Sequence, residues 1–166
     1  MNIANFLQGL DEAKIRYVLV GGFAVQLHGF QRATYDIDLV LAMDENNLSH
    51  FIDLAQRFSL VPVMPVSLDA LKDSAQVDQW HREKGMLAFA LHENIAGGLV
   101  VDVLIKPAVS FTELSQRASK VSLLGLMVPI ASVDDLIAMK RVAARPKDQI
   151  DLIALDKIKR GENPNE

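Results

Sequence analysis

Apolar residues at Ile3, Phe6, Leu7, Leu10 and Ala13 recur at helical spacing behind Asn2, which stands where an N-cap belongs, and predict an opening amphipathic helix. Residues 17–20 then form a short β-type run, closed by Gly21-Gly22, and 23–28 reads as a short helix stopped by Gly29. A second strand is expected over 36–42, and Asp44 caps a helix with the buried stripe Leu48, Phe51, Ile52, Ala55 and Phe58. Pro62 makes 60–63 an edge strand. Ser67 caps a single helix over 67–80, and 86–92 and 99–105 read as paired strands joined by a turn at Gly97-Gly98.

Further along, 111–118 reads as helix, and 121–124 with 127–130 as a hairpin turning at Gly125. Ser132-Val-Asp-Asp135 has capping-box spacing and starts a helix through about Val142, which Arg145-Pro146 breaks. Pro146 in turn starts the last helix, from Lys147 to Arg160. The fold class expected is mixed α/β (α+β): a small mixed sheet holding 17–20, 36–42 and 99–105, with helices packed on one face. It forms one domain over 1–160, with a sheet-containing core at 1–130 and C-terminal helices at 131–160, and 161–166 is a flexible polar tail.

A chain of 166 residues is long enough to bury a core without staples, and the absence of cysteine removes disulfides and Cys-based zinc sites. No basic leader or run of about 18 apolar residues occurs, so a cytoplasmic protein without membrane spans is expected. The net charge of -4 argues against a surface coated for non-specific nucleic-acid binding, leaving room for a local basic patch. His28, His50, His81 and His92 lack metal-ligand spacing.

Chemistry concentrates in GGFAVQLHGFQRATYDIDL. In a strand, residues two apart share a face and lie about 6.6 Å apart along the chain. Asp36 and Asp38 therefore point one way while Ile37 and Leu39 point into the core. Two such carboxylates repel each other, and divalent cations relieve that repulsion. Asp102, between Val101 and Val103, faces away from its apolar neighbours and completes a cluster if its strand lies beside the first. Alone, each signal is ordinary: DxD also marks a solvated strand edge, Gly-Gly also marks a plain turn, and Asp102 also suits an exposed sheet face. Their order raises the weight of the chemical reading.

That order resembles the DNA polymerase β-like nucleotidyltransferase superfamily, whose signature is a glycine turn, a DxD pair and a third acid. Residues 17–41 are most similar to small bacterial AbiEii-like nucleotidyltransferases. LIAMKRVAARPKDQIDL, with Lys140, Lys147, Asp148 and Asp151, resembles the K…KDxxD segment of that group. One departure is Gly22, where many members carry Ser.

The resemblance implies metal-dependent transfer of a nucleoside monophosphate from an NTP to a hydroxyl acceptor, tRNA or a small hydroxylated molecule. Asp36, Asp38 and Asp102 would be catalytic and hold Mg²⁺ (or Mn²⁺), and Gly21 and Gly22 would cradle phosphates. Arg32 and Thr34 are either triphosphate or nucleobase contacts or members of an exposed loop. Lys140 is either a pyrophosphate contact or a snorkelling surface lysine. Asp148 and Asp151, sharing a helix face, are expected to pair with Lys147 or Arg145. A toxin with an antitoxin protein as partner is the biological setting implied; the rival is a catalytically idle regulatory protein or the antitoxin itself.

Overall fold

In a computed structural model describing residues 3–166, seven strands form one mixed sheet and seven α-helices surround it. The helix α1 (Ile3–Glu12) buries Phe6, Leu7 and Leu10 as its periodicity requires. The expected cap, Asn2, lies outside the described residues. Strand β1 (Tyr17–Val20) runs into α2 (Gly21–Leu27), and β2 (Asp36–Leu41) into α3 (Glu45–Arg57), whose Asp44 cap accepts from the Asn47 amide. Gly9 lets α1 approach α3, because a Cβ there would meet Leu54 Cδ1 at 2.8 Å.

The segment expected as one helix over 67–80 is two. Ser67 caps a 3-10 helix at Leu68–Lys72, and Asp73 accepts from the Gln76 amide to start α4 (Ser74–Lys84). Asp73 is extended (φ -85°, ψ 92°), so its side chain serves a new helix instead of continuing the old one. Strands β4 (Ala88–Glu93) and β5 (Val100–Leu104) pair antiparallel, and β3 (Leu60–Pro62) closes the edge as Pro62 requires. Helix α5 (Phe111–Arg117) carries a Ser110–Glu113 capping box. The hairpin β6 (Ser119–Leu123) and β7 (Leu126–Ile130) turns at Gly125, which has φ +82°.

Helices α6 (Val133–Ala143) and α7 (Pro146–Lys159) complete the chain and pack on each other and on α2. Ser132 caps α6, but Asp135 does not close the box; its carboxylate takes Arg117 through Nε and Nη2. The tail past Arg160 is exposed, and within it Asn165 donates to the Gly29 carbonyl and accepts from the Gln31 amide.

The strand order is β3-β4-β5-β2-β1-β7-β6. Ile37, Leu39, Val101, Val103, Phe89 and Leu91 align across β2, β5 and β4 and are buried, forming one core face. All four residues of β1 are buried, so both faces are covered at the centre, where one helical face was expected. On the second face lie the aspartates, flanked on β4 by the small side chains Ala88 and Ala90, which keep that face shallow. No described helix is long and apolar enough to cross a membrane.

Candidate functional site

Strands β2 and β5 pair in parallel with Asp36 opposite Val100 and Asp38 opposite Asp102. Side chains in register on neighbouring strands share a face. The pairing therefore brings three carboxylates together from positions 64 residues apart, with one oxygen of each within 4.8 Å of the others. Burial, then the charges of Asp36 and Asp102, push the Asp38 carboxyl from the ordinary 3.8 up to about 7; Lys140 and Lys147 act against the rise. Burial and the Asp36 charge also raise Asp102, opposed by Lys147 and Arg145. The donor set is all hard oxygen and carries excess negative charge, the chemistry that suits Mg²⁺ or Mn²⁺. These residues fit a divalent metal.

Gly21 follows directly from this register. Val20 pairs with Asp38, so the next residue turns over the Asp38 carboxylate. At Gly21 φ is +66°, and an added Cβ would stand 2.0 Å from Asp38 Oδ2 and 2.6 Å from Cγ. Gly21→Ala should therefore lose about 2–4 kcal/mol through the left-handed backbone and the clash. It should also displace Asp38 from the triad. Thermal melts with a Mn²⁺ titration measure both effects, and native Mn²⁺ affinity in the variant would contradict the account. At Gly22 an added Cβ would meet the Arg32 guanidinium at 3.0 Å, so Arg32 covers this position.

In the loop before β2, Thr34 and Arg32 each have a partner within the protein. Thr34 Oγ1 donates to Asp36 Oδ1 at 3.2 Å, which orients a carboxylate of the cluster. Arg32 is ion-paired with Asp151, 119 residues away on α7. Neither interaction has a local sequence signature.

Lys140 is not a snorkelling surface lysine: its side chain is 7% exposed, and Nζ lies 2.7 Å from Asp151 and 3.2 Å from Asp148. Asp148 also accepts from Arg145 Nε at 2.9 Å and from the Arg145 amide at 3.0 Å. Burial works to raise the Asp148 carboxyl, but Arg145 and Lys140 outweigh it and hold it below the usual range. The partners of Asp148 and Asp151 are thus Lys140, Arg145 and Arg32. The Lys147 ammonium makes no ion pair or hydrogen bond among the described residues.

A cleft of about 240 Å³ opens beside this network. Gly21, Asp38, Lys140 and Arg145 form its polar end, while Leu104, Leu136, Met139 and Val142 line its apolar walls. Asp38 is the member of the carboxylate cluster that reaches this cleft, so a metal-binding corner adjoins room for an organic group.

Solved structures with the same fold include ANT(2")-Ia in complex with adenylyl-2"-tobramycin, at 15% identity and TM-score 0.60, covering 96% of this chain and 87% of that one. The lincosamide antibiotic adenylyltransferase LnuA, lincomycin-bound, aligns at 16% identity and TM-score 0.60, over 94% of this chain and 95% of its own. An antigenic nucleotidyltransferase-like protein from Paracoccidioides brasiliensis aligns at 20% identity and TM-score 0.54, over 92% and 72%. At these identities the likeness is one of fold. No curated protein matches the sequence. The family described as "Nucleotidyl transferase AbiEii toxin, Type IV TA system" matches residues 5–166. With that match spanning nearly the whole chain, the protein belongs to the AbiEii nucleotidyltransferase family and is a nucleotidyltransferase.

Proposed function

We propose that the protein transfers a nucleoside monophosphate from an NTP to a hydroxyl group of tRNA, as the toxin of a toxin–antitoxin pair, in a Mg²⁺- or Mn²⁺-dependent reaction. The observation that carries this reading is the in-register Asp38–Asp102 pair with Asp36 two residues away, three carboxylates within metal-sharing distance. The toxin setting is supported by the family description. A bound divalent metal would screen the triphosphate and stabilise charge on the transferring phosphorus.

Asp36 and Asp38 hold that metal in this reading, and Thr34 keeps Asp36 turned toward it. Asp102 completes the acceptor side of the cluster and takes the acceptor hydroxyl proton. The acceptor oxygen then bonds to the α-phosphorus as the bond to the β-phosphate bridging oxygen breaks, and pyrophosphate leaves. Gly21 and Gly22 leave the backbone bare where the phosphates approach. The apolar cleft takes the organic part of the nucleotide.

The test is incubation with Mg²⁺ and each α-labelled NTP, offering total tRNA and, separately, a panel of hydroxylated antibiotics. Label should pass to tRNA, and transfer should decline as salt screens the phosphate contacts. Transfer to an antibiotic, with little salt dependence, would replace tRNA by a small acceptor. Lys157, Lys159 and Arg160 are engaged with the Glu166 carbonyl, Asp134 and Glu162, exposed contacts that tRNA phosphates would have to exchange. Absence of transfer to either pool would move the protein to the regulatory role of an idle nucleotide binder or antitoxin.

A further inference from the structure

The sheet face that carries the three carboxylates continues past them. Strand β2 lies between β1, which leads into the glycine turn, and β5, which carries Asp102; beyond β5 come β4 and then β3. Register carries two rows of side chains across these strands. Asp38 and Asp102 continue into Ala90, whose carbonyl accepts from the Val63 amide at 2.9 Å. Asp36 continues through Val100 into His92 and Val61. Side chains in register share a face, so His92 stands on the face of the acidic cluster, level with Asp36.

This part of the face is open. Val61 and Val63 are 43% and 62% exposed, and Ala90, His92 and Val100 are half-buried. The cleft takes the other end of the same strands, at Leu87 and Leu104, and its polar end at Gly21 and Asp38 lies on the β1 side of the cluster. The β5 side is left for the molecule that is attacked. His92 Nδ1 lies 3.2 Å from the Glu93 carbonyl oxygen. A carbonyl only accepts, so that contact places the proton on Nδ1 and leaves Nε2 with a lone pair. Nε2 has no hydrogen bond among the described residues.

We propose that His92 binds the acceptor: Nε2 accepts a hydrogen bond from a second hydroxyl of the molecule whose reacting hydroxyl stands at Asp102. The role presupposes the transfer reaction given under Proposed function, and for tRNA the second group is a ribose hydroxyl. His92 is one strand across and two residues along from Asp102, a backbone separation of about 8 Å. Two side chains on one face narrow that gap to the span of a sugar ring lying on Ala90 and Val100. The small Ala90 side chain, directly opposite Asp102, leaves the floor low where the ring must approach. The nucleotide and the acceptor then meet the cluster from opposite sides, Asp38 facing the first and Asp102 the second.

The test is transfer of α-label from Mg²⁺ and NTP to total tRNA, and to the antibiotic panel, by native protein, His92→Phe and His92→Gln. Mn²⁺ and Mg²⁺ with each NTP are also titrated calorimetrically into all three. For the pool that accepts label, His92→Phe should raise KM about five- to tenfold, the worth of one hydrogen bond, with kcat within about twofold of native. His92→Gln, whose amide oxygen also accepts, should bring KM back to within about threefold of native. Mn²⁺ affinity, NTP affinity and melting temperature should match the native values in both variants. An unchanged KM in His92→Phe would overturn the inference, and so would a His92→Gln variant as impaired as His92→Phe. Weakened Mn²⁺ or NTP binding in His92→Phe would overturn it as well, by assigning the imidazole to the metal or the nucleotide. A native protein that passes label to neither pool would instead overturn the transfer reading itself, and this role with it.

Discussion

Asp38→Asn is expected to abolish nucleotidyl transfer and, at pH 8, to stabilise the metal-free protein. Asp38 is raised to about 7 in the folded chain, against the ordinary 3.8, chiefly by burial and then by its two acidic neighbours. Between those pH values the folded protein holds a proton that the unfolded chain has released. Native stability should therefore fall as pH rises from about 4 to about 7, and the penalty is complete above 7. Three pH units correspond to at most about 4 kcal/mol, and solvent reaching the site lowers the net effect to about 1–3 kcal/mol.

Asparagine removes that charge without removing volume, so its advantage should be near zero at pH 4 and full at pH 8. In a chain of this size the gain corresponds to a melting temperature raised by roughly 5 °C. Magnesium should invert the ranking, since metal at 100 times its dissociation constant adds about 2.7 kcal/mol to a protein that binds it. Melts at pH 4 and pH 8, with and without Mg²⁺, check all four values. A variant less stable than native at pH 8 without metal would mean that the three carboxylates are not held against their mutual repulsion.

The local half of this site was legible in the sequence, and the reason is periodicity. DID exposes two acids on one strand face, Val101 and Val103 turn Asp102 the same way, and the glycines mark the turn. What periodicity does not carry is strand adjacency. The pairing of Asp38 with Asp102 depends on β5 lying parallel to β2, a contact between strands separated by three helical segments and two other strands.

Lys140 shows a different failure, in weighting. It lies three and four residues beyond Ile137 and Leu136, on the buried stripe of α6, while Asp148 and Asp151 lie with Ala154 and Leu155 on the buried stripe of α7. A lysine on one apolar stripe and two aspartates on the next are a matched set. Reading each helix separately makes Lys140 a surface residue, whereas reading the two stripes together makes it a buried ion pair. The division at Asp73 was also visible, since an Asp-Ser pair within a helical run is a second start signal.

The buried network yields the other large effect. Asp151→Asn should destabilise the protein by about 3–5 kcal/mol, because it strips Lys140 of its nearer partner and Arg32 of its carboxylate while both cations stay largely enclosed. The melting temperature should fall by roughly 10 °C, far more than for removal of an exposed pair such as Lys159–Asp134. Desolvation dominates this result: an asparagine amide fills the space of the carboxylate but offers Lys140 no charge. Adding Lys140→Met should recover part of the loss, since the double variant no longer buries an undercompensated ammonium and Asp148 retains Arg145. The expected coupling between the two substitutions is about 1–3 kcal/mol, read from denaturant melts of the native protein, both single variants and the double. Strict additivity would show that Lys140 and Asp151 do not act as a pair. The same four proteins connect stability to the site, because Arg32 joins α7 to the loop that bears Thr34 and leads to Asp36. Release of Arg32 in Asp151→Asn should weaken Mn²⁺ binding, although Asp151 is no member of the acidic triad, and Lys140→Met should not restore it. Recovery of metal affinity together with stability would assign the loop's position to the helix pair as a whole and not to the Arg32–Asp151 contact.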